Sequence, residues 1–533
     1  MYKLILFAAI YSFHFCEAQK SFSLEDSLRG SVTKERVWWD LIHYSLKVNV
    51  DIKQKFISGE NVIRYKVLNS QQVLQLDLQS PMIIKNVFQD GLVLNFEKNG
   101  KNAYFILLQK VQKIGNKEAL VVEFEGHPKT AVRAPWDGGF SWSKDEKGRD
   151  FVATSCQELG SSVWWPCKDH MYDEPDSMRM SVTVPDSLWD ISNGRMTKMC
   201  INANGSRTTD WEIRNPINNY GVNINIGNYV HFSEVFAGEN GNLTMDYFVL
   251  PENLEKAKVQ FKDASRMMKA FEYWFGPYPF YEDGYKLVEV PYLGMEHQSS
   301  ITYGNKYANG YLGKDLSGTG WGSKWDFIII HESGHEWFAN NITYKDIADM
   351  WIHESFTNYS ETLFTEFHYG KKAGQDYVIG TRSSIKNDSP IIGVYNLNKK
   401  GSVDMYSKGG NLIHTIRHII SDDDKFRQIL RGLNKEFYHQ TVDTKQIEDY
   451  ISTNSGIDFS KVFNQYLRDT RVPKLEQKIT KNQISYRWIN VVPGFEMPLK
   501  VTIDGIEQII KPTSVWKNIS GNQLLIDRNF YVK

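Results

Sequence analysis

The stretch FIIIHESGHEWFANNITYKDIADMWIHESFTNYSE, residues 327–361, decides how the chain is read. Its pattern predicts two helices joined by a short connection. The first carries His331, Glu332 and His335 in the order H-E-x-x-H. Residues four apart on a helix lie one turn apart on the same face, so both imidazoles aim at one point. Two neutral imidazoles and one carboxylate leave a fourth position open around zinc, the catalytic rather than the structural arrangement. Glu354, nineteen positions after His335, supplies that carboxylate from the second helix. Glu332 is one residue from His331 and points elsewhere on the helix surface. It leans over the metal site as a general base without ligating. The spacing therefore predicts one Zn2+ per chain, held by His331, His335 and Glu354.

The rest of the sequence sets the frame for this site. A chain of 533 residues exceeds one hydrophobic core, so two to four domains are expected. Hydrophobic residues at 41% and charged residues at 23% are ordinary for a soluble globular protein, while aromatics at 14% suit β-rich domains and aromatic-lined clefts. The formal net charge of -1, without a polybasic run, argues against nucleic acid and anionic membrane surfaces as partners. Residues 1–18 read as a secretory signal peptide: Lys3, an apolar run from Leu4 to Phe15, then small residues around Ala18. That reading makes the protein periplasmic or secreted. No later stretch reaches transmembrane length. Cys156, Cys167 and Cys200 remain, an odd count that leaves at least one thiol free and a Cys156–Cys167 pair open.

Residues 19–235 alternate as strands do, in HYSLKVNVDI (43–52), NVIRYKV (61–67) and MRMSVTVP (178–185), with turn signals at Asp90-Gly91, Asn99-Gly100 and Asn193-Gly194. They predict an antiparallel β domain. Within it, TSCQELGSSVWWPCKD (154–169) breaks the alternation and by composition reads as a surface loop. Residues 252–275 have helical periodicity, ended by Gly276-Pro277, and YKLVEVPY (285–292) is a strand. Residues 236–473 thus form a mainly helical α+β domain around the metal stretch. Strand-like runs return from Lys474, which predicts a small β-sandwich over 474–533.

HESGHEWFANNIT followed by WIHESFTNY resembles the aminopeptidase N family of zinc metallopeptidases, which also includes the bifunctional leukotriene epoxide hydrolases. The similarity extends to the HYSL start, the P-D-S-L-W…S-N-G segment and Y-S-K-G. The resemblance implies a thermolysin-like catalytic domain that removes the N-terminal residue from peptides with a free amino group. LGMEH (293–297) falls where the family has G-x-M-E-N, so Glu296 and Gly294 would bind the substrate's amino end, and Met295 and Tyr292 would line the first side-chain pocket. Gln157 sits where the family places a second group on that amine, with Glu158 as the rival if the register slips by one. Tyr406, in MYSKGG, would stabilise the oxyanion. Glu361 would orient a zinc ligand. The chain departs from the family at Leu293, His297 and His353; His297 would add positive charge near the amine at low pH. It ends after the small β domain, where some members continue into a helical domain that closes the cleft, so a more open cleft is expected. The residues leave two other readings: a secreted zinc endopeptidase, or a catalytically silent peptide-binding protein on the same scaffold. Side-chain preference, oligomeric state and any epoxide hydrolase activity are not legible in the sequence.

Overall fold

The computed structural model describes residues 23–533. The expected signal peptide lies outside the described residues. Within Trp39–Asp51 and Phe56–Val67, inward positions are buried and outward ones partly or fully exposed, the period-2 pattern of a strand with one face on a core. These strands sit at the centre of an eight-stranded sheet. The sheet is antiparallel apart from one pair: Trp39–Asp51 runs parallel to Ser177–Pro185, with His43 opposite Ser177. That corrects the purely antiparallel expectation. A parallel pair needs a long crossover, and the chain between these strands supplies it.

A second sheet stacks Trp189–Ser192, Ile224–Gly227, Asp150–Ser155 and Gly139–Lys144 in that order. Its strand Asp150–Ser155 runs directly into Cys156 and Gln157. The following segment is not a surface loop: Ser161, Ser162, Trp164, Trp165 and Cys167 are all buried. Irregular backbone can be buried only if its polar groups are paired. Distant residues do this, Gln79 Nε2 donating to Leu159 O at 2.6 Å and Asn61 Nδ2 to Pro166 O at 2.9 Å. Asp77 and Cys167 exchange both backbone bonds. Cys156 and Cys167 are buried free thiols, so the pair left open by the sequence is not formed.

The catalytic half starts on a five-stranded sheet ordered Val230–Gly238, Gly241–Val249, Tyr285–Glu289, Ile301–Tyr303, Gly294–Met295. Gly294–Met295 is therefore an edge, paired only with Thr302 and Tyr303. The helical region expected over 252–275 breaks at Phe261 into Leu254–Gln260 and Lys262–Phe275. Phe261 is buried there among Tyr247 and Tyr303.

The motif helix is Phe327–Gly334. Asp326 caps it, its Oδ1 accepting from the backbone N–H of Ile328 and Ile329. The helix ends earlier than its apolar sequence suggests. His335 closes it, and Glu336–Asn341 forms a wider turn in which Phe338 leaves helical geometry. A short strand, Ile342–Tyr344, pairs with Gln440–Val442 before the second helix, Trp351–Tyr369. The two helices cross closely at Gly334, where an added Cβ would lie 2.6 Å from Ser360 Oγ. Ser407–Ile420 packs on the other side of the second helix; at Gly409 a Cβ would fall 1.9 Å from Ser355 Oγ. Glycine is required at both positions by space rather than by dihedral angle.

Two three-stranded sheets complete the chain, Lys474–Thr480 with Gln483–Ile489 and Lys517–Ser520, and Ile506–Ile510 with Leu499–Ile503 and Leu524–Ile526. Their core, including Trp488 and Leu499, is continuous with that of the catalytic half. Among the described residues, no helix is long and apolar enough to cross a membrane.

Candidate active site

Both motif histidines have one ring nitrogen committed. His331 Nδ1 donates to Glu361 Oε1 at 2.7 Å, and His335 Nδ1 to the Phe338 carbonyl at 3.1 Å. That fixes the proton on Nδ1 and leaves both Nε2 lone pairs free. The two Nε2 atoms lie 3.8 and 3.5 Å from Glu354 Oε2. Ligand atoms of His331, His335 and Glu354 all fall within 4.8 Å of one another. Glu354 Oε2 is itself buried and has no hydrogen-bond partner among the described residues. An orphaned carboxylate oxygen facing two imidazole lone pairs is an electrostatic misfit unless a cation sits between them. The donor set, two imidazoles and one carboxylate, is that of a catalytic zinc site, so the residues fit the ion.

The shell around these residues is tightly specified. Glu361 also accepts from the Tyr377 hydroxyl at 2.6 Å and from Asn358 Nδ2 at 3.3 Å. Thr357 Oγ1 lies 3.1 Å from His335 Nδ1. Phe327 and Tyr406 flank the His331 ring, at 5.1 and 6.2 Å between centroids. The kink after His335 thus has a purpose in local terms: it turns the Phe338 carbonyl back onto the imidazole, which an unbroken helix would not do.

Glu332 is only 8% exposed. Burial pushes its carboxyl up to about 7. Glu296, on the segment leaving the edge strand, is 2% exposed. Its Oε1 accepts from Gln157 Nε2 at 2.6 Å and from the Tyr220 hydroxyl at 3.1 Å. Among the described residues, no Lys, Arg or His nitrogen forms an ion pair with it. Ligand atoms of Glu296, Glu332 and His335 also lie within 4.8 Å of one another. Gln157 Nε2 reaches Glu354 Oε1 as well, at 3.1 Å. Gln157 faces the cluster, whereas Glu158 pairs with Lys400.

A cleft of about 430 Å³ opens over this cluster, with Gly294, Met295, Leu293, Ile328 and Tyr406 among its walls. At Gly294 a Cβ would meet Ile328 Cγ2 at 2.5 Å. Burial holds the Tyr406 phenol well above its ordinary range, so it stays a proton donor. Tyr292 does not line the cleft. Its hydroxyl donates to the Thr154 carbonyl at 2.7 Å, and its ring packs in the core of the β domain. The pocket role expected for Tyr292 is therefore corrected: its bond to Thr154 and its packing in the β-domain core keep it out of the cleft lining. His297 is also corrected. It is fully buried, and desolvation pushes it down to about 3, so it adds no positive charge near the amine site. His353 is buried too, stacked on Tyr344 and accepting from its backbone N–H at 3.0 Å.

Two family models match the chain: the Peptidase family M1 domain over residues 259–466 and the Peptidase M1 N-terminal domain over residues 41–220. The chain belongs to peptidase family M1. This is the aminopeptidase N-like group that the zinc stretch resembles.

The M1 chain is 21% identical over 498 residues to a probable aminopeptidase 1 of Sulfurisphaera tokodaii, covering 87% of this chain and 59% of that protein. It is 22% identical over 468 residues to aminopeptidase N of Lactobacillus helveticus, covering 81% and 51%. It spans about half the length of the curated relatives it matches. Among solved structures it shares the fold of an M1 zinc metallopeptidase of Deinococcus radiodurans, a variant bound to a Tyr-Ser-Ala substrate. The TM-score is 0.69 at 20% identity, over 85% of this chain and 99% of that one. A two-domain M1 zinc metallopeptidase variant bound to L-tryptophan aligns with a TM-score of 0.68 at 20% identity, over 83% and 96%.

Sequence reading missed Tyr220, Tyr377, Thr357 and Asn358. Tyr220 reaches Glu296 across 76 positions of sequence, and no local signal marks such a contact. Asn358 and Thr357 sit three and four positions before Glu361 on the same helix, so helical spacing was the available signal.

Proposed function

We propose that this M1 chain is a zinc aminopeptidase that hydrolyses the first peptide bond of substrates with a free α-amino group. The observation that carries the reading is Glu296. It is a buried carboxylate held by two neutral donors, placed beside Glu332 and His335. A buried carboxylate without a counter-ion is costly, and a substrate ammonium satisfies it. Fixing that ammonium measures one residue to the reacting centre.

His331, His335 and Glu354 would hold the zinc. When bound, the ion would supply Lewis acidity for the scissile carbonyl and for the attacking water. Glu332 accepts a proton from the attacking water and delivers it to the leaving amine. Tyr406, kept protonated by burial, donates its hydroxyl hydrogen to the developing oxyanion. Glu361 holds the His331 ring in register through Nδ1. Gln157 and Tyr220 orient the Glu296 carboxylate, and Met295 and Leu293 offer apolar contact to the first side chain.

The test is turnover of leucyl-4-nitroanilide by the purified chain before and after exhaustive chelation. The reading predicts hydrolysis that is abolished by chelation and restored by zinc near one equivalent. Hydrolysis untouched by chelation would contradict it.

A further inference from the structure

A second cavity lies away from the zinc cleft, between the β domain and the catalytic sheet, with a volume of about 460 Å³. That is within the range of small-molecule sites, which favour domain interfaces. Its walls are aromatic: Trp189, Trp211 and Tyr229 from the β domain and Phe248 from the catalytic sheet. These rings are fixed from behind. Trp211 Nε1 donates to Asp190, the Tyr229 hydroxyl to the Glu289 carbonyl, and the Arg207 guanidinium stacks on Trp189 at 3.9 Å.

The charges in this cavity are unevenly satisfied. Lys286 is 4% exposed. Its ammonium stands 5.6 Å from the Trp211 ring centroid. It has three donors and, among the described residues, a single hydrogen bond, to the Gly194 carbonyl. Arg195 at the rim bonds only neutral oxygens, of Glu282 and Tyr281 backbone and of Thr244. Among the described residues, neither cation has a carboxylate within salt-bridge distance. The two acids of the cavity are already engaged: Asp246 with His231 at 2.8 Å, Asp283 with the Arg214 N–H and the Asn215 amide. Asp246 and Asp283 act on the ammonium through space, but with spare donors and no carboxylate in direct contact among the described residues it is a costly arrangement for a purely structural lysine.

We infer that this cavity binds a small carboxylate with an aromatic or apolar body, the carboxylate on Lys286 and Arg195 and the body between the tryptophans and Phe248. An amide or amine of the same shape leaves the ammonium unpaired and binds less well.

The test is calorimetric titration of the full chain with indole-3-acetate, indole-3-acetamide and tryptamine, in zinc-loaded and chelated protein. The expected result is saturable binding of indole-3-acetate in both forms, at least about tenfold tighter than the amide or the amine. Lys286→Met should lower that affinity at least about tenfold. Met196→Trp, which fills the cavity mouth from an exposed position, should do the same and keeps the test decisive if the lysine variant fails to fold. Absence of saturable binding at millimolar concentration would overturn the inference. So would equal affinity for acetate and amide, or binding that vanishes on chelation, which would place the ligand at the zinc centre. None of these results depends on peptidase activity, so failure here and failure of the aminopeptidase reading are separate outcomes.

Discussion

On the proposed reading Glu332 bears on chemistry and not on metal binding, and this separates it from its neighbours. Its carboxylate lies beside the ligand cluster, but Glu354 alone faces both Nε2 atoms. Glu332→Gln keeps shape and volume while removing proton transfer. It should lower kcat by about 10²–10⁴-fold, the usual worth of a positioned acid–base group, with zinc still bound near one equivalent. Metal analysis beside steady-state kinetics checks both halves; loss of the zinc would move Glu332 into the ligand set. Asp190, in the β domain, carries a different prediction. Burial pushes its carboxyl from an ordinary 3.8 up to about 7, although Ser192 and Trp211 donate to it. Between those values the folded chain keeps a proton that the unfolded chain has lost. Folding stability should therefore fall as pH rises from about 4 to about 7, then level off. Asp190→Asn cannot ionise and should flatten that part of the profile. Urea unfolding across this range would show it, and an unchanged slope would contradict the assignment.

At the scale of elements, what was legible followed from period and spacing. The helical register of His331 and His335, the distance to Glu354 and the alternation in 43–52 and 61–67 each depend on a few neighbouring residues. What was not legible depends on contacts far along the chain. Residues 154–169 read as a loop because their polar backbone is paired by Asn61, Asp77 and Gln79, from another part of the domain. The break after His335 is hidden in an apolar run that is equally compatible with more helix; the bond from His335 to the Phe338 carbonyl rewards the break. The family resemblance gave Gln157, Glu296, Tyr406 and Glu361, none of which spacing alone would single out. It also gave Tyr292, which packs away from the cleft. The helix crossing at Gly334 yields a prediction of its own. Alanine there gains about 1 kcal/mol of helix propensity. Its Cβ, however, meets Ser360 Oγ at 2.6 Å and Thr357 Cγ2 at 3.1 Å, and overpacking of this kind costs about 1–3 kcal/mol. Gly334→Ala should be net destabilising, and by shifting the Glu354 helix it should weaken zinc affinity. Thermal melts and zinc competition would test this; unchanged values in both would mean the helices do not constrain each other at this point.

For the molecule as a whole, the candidate zinc site joins three structural units. The motif helix and the Glu354 helix would supply the ligands, the β domain supplies Gln157 and Tyr220, and the sheet edge supplies Glu296. The buried carboxylates Glu296, Glu332 and Glu354 converge where a cation is needed. Metal that binds the folded state alone stabilises it by mass action. Chelation should lower the melting temperature, and zinc should restore it in a concentration-dependent way. A melting temperature indifferent to both would separate the site from the fold. The measurement closest to the central claim compares leucyl-4-nitroanilide with its N-acetylated twin, in the parent chain and in Glu296→Ala. The account predicts that the parent cleaves only the free-amine compound, and that the variant loses most of this activity while retaining zinc. Equal cleavage of the acetylated twin by the parent would contradict it and make the protein an endopeptidase.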